Sequence, residues 1–268
     1  MRPTTTSAML LALLSTAWAG ERLQAQRLAQ RVRAAGNGFV ELHYTSRPGV
    51  CGDGRRYFSI GRNSHFGEWS SRDRDMRNCQ PGPARVRMRV ESGSVTSLRV
   101  AVGPAVSHEE RATDLGQVAS AEAASFFLSL ADTSSGRVGH GAITAAVLAD
   151  SASVWQRLLA IAADTADVAR ATRRDAMFWV GRFATARVLG HGEDITGIDG
   201  SDDRDDTRGD AVFALSQMRG RQGIDPLFEI ARSHRDPAVR SKAIFWVSQS
   251  NDPRAVAALG EILQGERR

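Results

Sequence analysis

Six histidines, two cysteines and an acid-rich stretch are the residues of this chain with the most chemistry to offer. His43, His65, His108, His140, His191 and His234 are scattered, and no two stand at the helical spacing that turns a pair of imidazoles toward one metal ion. The sequence holds no Gly-x-Ser-x-Gly elbow to expose a serine nucleophile and no glycine loop that would cradle a phosphate. Triads assemble in space from distant residues, so a lyase or hydrolase site stays open as an alternative. The sequence names no catalytic residue and no cofactor, and the reading it supports is a non-enzyme.

Two charged clusters could bind rather than catalyse. Asp199, Ser201, Asp203 and Asp205 alternate, the rhythm of oxygen ligands in calcium loops, but the glycine and the bidentate glutamate of an EF-hand are missing. The alternative is a solvated insertion; a third reading docks this acidic stretch on a basic β domain. Arg85, Arg87, Arg89 and Arg99 share one face of a hairpin if the intervening apolar residues point inward. Such a stripe suits an anionic polymer or lipid head groups; its alternative is the solvent face of a half-buried sheet.

The net charge of +5 is unevenly spread. Residues 20–107 carry 15 arginines against 7 acids, whereas residues 108–268 carry 19 basic residues against 23 acids. Hydrophobic residues make up 42% of the chain and charged residues 24%, ordinary values for a globular protein.

The elements that hold these groups begin with a targeting signal. Arg2, the apolar run Ala8–Leu14 and the small residues of Ala17-Trp18-Ala19 read as a signal peptide over 1–19, cleaved before Gly20. An uncleaved anchor is the alternative, but the run falls short of the ~20 residues a span requires. The expectation is an exported protein, periplasmic or extracellular, with no transmembrane segment after cleavage and no nucleic-acid partner. Cys51 and Cys79 then read as a disulfide. Closing a loop of about 28 residues contributes ~3–4 kcal/mol in the chain-entropy picture.

Residues 20–38, with Leu23, Leu28 and Val32 among polar residues, form an amphipathic helix or a mobile arm. Strands are expected at Phe39–Thr45 and Tyr57–Ile60 from their β-branched and aromatic content. Val86, Met88 and Val90 alternate with arginines, Glu91–Ser94 turns the chain, and Val95–Val102 returns, which is the period of a hairpin. A small β domain pinned by the Cys51–Cys79 bridge is therefore expected over 39–107.

From Gln117 onward helical spacing takes over, and it repeats. Thr172–Val180, Thr207–Leu215 and Val239–Val247 align without gaps, their alanines Ala176, Ala211 and Ala243 lying 35 and 32 residues apart. A fainter copy starts at Ala142-Ile143. Self-similarity at this period marks helix pairs that stack to share a core. Phe178, Phe213 and Phe245 share one repeat position, and Trp179 and Trp246 the next; aromatics locked to a repeat are expected in the core between repeats. Asp236-Pro237 and Asp252-Pro253 stand where helices begin, Asp as cap and Pro at the first helical position.

Asp236-Pro237-Ala238-Val239-Arg240, Ala243-Ile244, Val247, Asp252-Pro253-Arg254-Ala255-Val256 and Leu259 resemble the HEAT-repeat consensus, in the bacterial branch also seen in bilin-lyase-like proteins. The resemblance is strongest over 208–263 and does not reach the β domain. It implies a mainly α protein, a HEAT-like α-solenoid over 108–268. It also implies that Asp236, Arg240 and Asp252, with Ala176, Ala211 and Ala243, hold successive repeats together. The groove of such a solenoid implies a protein partner and a scaffolding role. Residues 189–206 break the pattern, because glycines and seven acids against one arginine will not make a stable amphipathic helix. The solenoid is expected to be interrupted or locally loose there.

Overall fold

The computed structural model describes residues 23–55, 57–61, 64–66, 79–106, 111–198, 207–218 and 221–265. The signal-peptide reading at 1–19 lies outside them. The chain enters on helix α1, residues 23–34. Ala25, Leu28 and Val32 fall on one helical face and are buried, while Leu23 is left 51% exposed. The segment is thus a docked amphipathic helix, anchored further by Arg31, whose Nη2 donates to the Leu115 carbonyl at 2.7 Å.

Two four-stranded sheets follow. The first has the order β7-β6-β1-β8, built from β1 (Gly38–Tyr44), β6 (Ala84–Glu91), β7 (Ser94–Val102) and β8 (Ala112–Gln117). The second has the order β4-β3-β2-β5, from β2 (Val50–Gly52), β3 (Phe58–Ile60), β4 (Ser64–Phe66) and β5 (Gln80–Pro81). The hairpin stands as its alternation dictates: Val86, Met88 and Val90 are fully buried and the chain turns at Ser92-Gly93, both at positive φ. Such a two-residue turn matches the twist of the flanking strands. Cys51, on β2, is bonded to Cys79, just before β5.

The sheet region does not end at residue 107. β8 pairs in parallel with β1 and carries the first sheet to Gln117. Its burial runs half-buried, exposed, exposed, half-buried, so an edge strand here shows no period of two for the sequence to reveal.

Among the described residues the helices that follow are α2 (Ser120–Thr133), α3 (Gly136–Leu148), α4 (Trp155–Ala163), α5 (Arg170–Val188), α6 (Thr207–Gln217), α7 (Arg221–Ser233), α8 (Pro237–Gln249) and α9 (Arg254–Gln264). α3 lies on the first sheet, where Tyr44, fully buried, donates its hydroxyl to the Ala145 carbonyl. Arg47 latches the same seam, donating through Nε to the Val147 carbonyl at 2.7 Å and through Nη2 to that of Ala152 at 2.6 Å. Sheets and helices share one continuous core.

The helix pairs stack, but not in chain order. α5 packs on α3, α4, α8 and α9, while α6 packs on α7 and α8. One layer therefore runs α3, α5, α8, α6, and the layer behind it α4, α9, α7. Among the described residues the α8/α9 pair sits between α4/α5 and α6/α7. The reason lies at residues 189–198, where no second helix folds back on α5. Ile195 is fully buried instead, and Thr196 is packed against Gly49 and Gly61 at the second sheet. The face of α5 left uncovered receives α8, where Gly181 lets Ser248 approach.

Candidate functional site

The residues implied to hold repeats together fall into two groups. Ala176 and Ala243 are fully buried, as close packing of first helices requires. Ala211 is exposed and its neighbour Val212 is buried at 2%, because α6 ends its layer and turns a different side inward. Asp236 caps α8 by accepting from the Ala238 N–H at 3.0 Å. Arg240 reaches back to the His234 carbonyl at 2.6 Å, tying α8 to the end of α7. Asp252 accepts from Arg254 Nε and Nη2 at 2.9 and 2.7 Å. Arg254 also pairs with Asp225 of α7 at 2.8 Å and lies 4.8 Å over the Phe228 ring. With Arg232–Glu261 at 3.2 Å, these contacts bind α7 to α9 across the stack.

The repeated aromatics divide. Trp179 is in the core at 2% exposure, whereas Phe213 is 50% and Phe245 46% exposed. Trp246 lies half-buried between them, 5.5 Å from the Phe213 ring and 5.0 Å from that of Phe245. The expectation that these positions fill the core between repeats is corrected for α6 and α8. Phe213 and Phe245 instead line an outward aromatic face. Of the four large apolar side chains most exposed among the described residues, Phe213, Met218 and Phe245 all belong to this end of the molecule. Aromatic rings left half in water are what a protein interface uses as anchors.

The arginine stripe exists, and much of its charge is already engaged. Register places Arg85, Arg87 and Arg89 opposite Ala101, Arg99 and Ser97, all away from the buried Val86, Met88 and Val90. Arg87 pairs with Glu41 at 3.2 Å and lies 4.5 Å over the Phe39 ring. Arg89 pairs with Glu91 at 2.7 Å and covers the other part of that ring at 5.5 Å. Arg85 is half-buried and Arg99 exposed.

The calcium candidates Asp199, Ser201, Asp203 and Asp205 lie outside the described residues, so their reading stands as an expectation only. The preceding part of the acidic stretch is tied down rather than loose. Glu193 accepts from the Trp155 indole at 2.9 Å and from Ser153 at 3.1 Å. Arg182 donates to the Ile195 carbonyl at 3.1 Å, and burial pushes its guanidinium pKa down to about 10.

One pair escaped the sequence reading. His140 on α3 and Asp175 on α5 meet with Nδ1–Oδ2 at 3.3 Å. The hydrogen bond that His140 donates to Asp175, the largest influence, raises the imidazole pKa against the smaller opposing effect of burial. The signal was present in the repeat register, for Asp175 directly precedes Ala176 and His140 stands two before Ala142. Among the described residues no group of three or more His, Cys, Asp or Glu side chains converges as a metal site would need.

α6/α7 and α8/α9 are stacked helix pairs, and α8 starts on an Asp236 cap followed by Pro237, whereas α9 starts after Pro253 with no side-chain cap. Residues 198–268 match the sequence family described as HEAT repeats. No curated protein and no solved structure is a significant match. Among the described residues no helix is long and apolar enough to cross a membrane.

Proposed function

We propose that this is a non-enzymatic binding protein that holds a protein partner on the outer face of α6 and α8. The observation that carries the reading is the half-exposed pair Phe213 and Phe245 around Trp246, inside the segment that matches HEAT repeats. Repeats of this kind present extended surfaces to protein partners, and desolvated aromatic anchors supply much of the energy at such contacts. The three pairs α4/α5, α8/α9 and α6/α7 would form a short HEAT-like stack with this face at its far end. Export from the cytoplasm belongs to the same proposal. It is supported by the Cys51–Cys79 bridge, because disulfides persist in oxidising compartments.

The test compares affinity capture from an extract of the source cells by the wild-type protein and by a Phe213→Ser/Phe245→Ser variant. Both side chains are about half exposed, so the variant should keep its melting temperature and lose the partner. Equal retention by the two proteins would refute the assignment to this face.

A further inference from the structure

The edge of the first sheet, which shares no residue with the aromatic face, offers a separate feature. β7 is an outer strand of the first sheet, with β6 on one side and no described strand on the other. An unpaired strand edge offers a row of N–H and C=O groups to any extended chain that reaches it. Here no described residue covers the edge between Thr96 and Val100. Thr96 to Val100 line an open groove of about 950 Å³, whose far wall is formed by α3 and the start of α5. The five residues span ~17 Å at the rise of a strand, room for a peptide of similar length.

The groove is also charged in one sense. Arg137 on α3 and Arg174 on α5 line it and both are exposed, while Arg99 shares the opposite face of β7 with its cross-strand partner Arg87. Neither Arg137 nor Arg174 forms an ion pair with a described residue. Asp175 is the one acid in the lining, and it is occupied by His140 at 3.3 Å. Gly141 is the device that brings the two walls together: a methyl there would meet the Leu98 side chain at 2.7 Å, so α3 packs tightly over Leu98 while the outer edge of β7 stays open.

We propose that β7 receives an extended acidic peptide as an added strand, with Arg137 and Arg174 holding its carboxylates. Main-chain hydrogen bonds supply the affinity in this mode and the flanking side chains the selectivity. The edge selects an extended backbone, and Arg137 and Arg174 select negative charge over a neutral or basic strand.

The probe is a fluorescein-labelled peptide of alternating glutamate and valine, six residues long, titrated against the whole oxidised protein by fluorescence anisotropy. Saturable binding is expected, weakened by added salt, together with slowed amide hydrogen exchange at Thr96–Val100. A peptide of the same sequence N-methylated at alternate residues, which cannot complete the ladder, should bind at least ~10-fold more weakly, as should an Arg137→Glu/Arg174→Glu variant, since like charges across an interface are repelled. Equal binding of the N-methylated peptide would overturn the proposal and leave a general polyanion site. Unchanged exchange at Thr96–Val100 in the bound wild-type protein, or no binding at all, would overturn it without recourse to any variant.

Discussion

Replacing Gly181 with alanine sets two effects of opposite sign against each other. Alanine in a helix interior is favoured over glycine by ~1 kcal/mol, and Gly181 lies well inside α5. Its new Cβ, however, would stand 2.6 Å from both Cβ and Oγ of Ser248 on α8, against the ~3.5–4.0 Å that carbon atoms need. Ser248 Cβ is fixed by its backbone, so α8 itself must move, and overpacking of this kind costs ~1–3 kcal/mol. The expected outcome of Gly181→Ala is a net loss of up to ~2 kcal/mol. That corresponds to a melting temperature lower by several degrees, at ~2–4 °C per kcal/mol for a chain of this size. Ser248→Gly carries its own helix penalty of ~0.5 kcal/mol, but it removes the obstructing atoms, so the double variant should recover part of the loss. Denaturant melts of the four proteins give the coupling, expected at ~1–2 kcal/mol for groups in contact. If α6, rather than α8, lay on this face of α5, Gly181→Ala would stabilise the protein. The two changes would then add within ~0.5 kcal/mol, and the stacking order derived above would be refuted.

Two further outcomes test the parts of the molecule on which the binding surfaces depend. Ile195→Ala should cost ~2–5 kcal/mol in a denaturant melt, as for other buried Ile-to-Ala changes, because Ile195 is fully buried; a change within ~0.5 kcal/mol, typical of surface positions, would mean that 189–198 is a loose insertion after all. The Asp175 hydrogen bond raises His140 above its ordinary value, so a proton-detected titration should place its midpoint above ~6.5. The stabilisation from this pair is then complete below the unfolded value and lost as pH rises through the folded one. Asp175→Asn should lower the midpoint, and an unmoved midpoint would show that the two groups do not meet.

The sequence by itself determined what is local. The alternation of Val86, Met88 and Val90 with arginines fixed the inner face of β6, and Asp236-Pro237 fixed the start of α8, because side-chain period and capping act over a few residues. The spacing of Ala176, Ala211 and Ala243 revealed the repeat, and the HEAT-like character of the last third followed from it. What it could not decide was which pairs of surfaces meet. Nothing in the pattern of α5, α6 and α8 says that α5 takes α8 as its neighbour, for all three share one repeat signature and present similar faces. The choice is made by residues 189–198, which cross to the second sheet and leave that face of α5 open. It is likewise tertiary packing that sets the edge of β7 beside Arg137 and Arg174, and His140 beside Asp175. These groups lie tens of residues apart in sequence, and only the stacking of separate elements brings them within reach of one another.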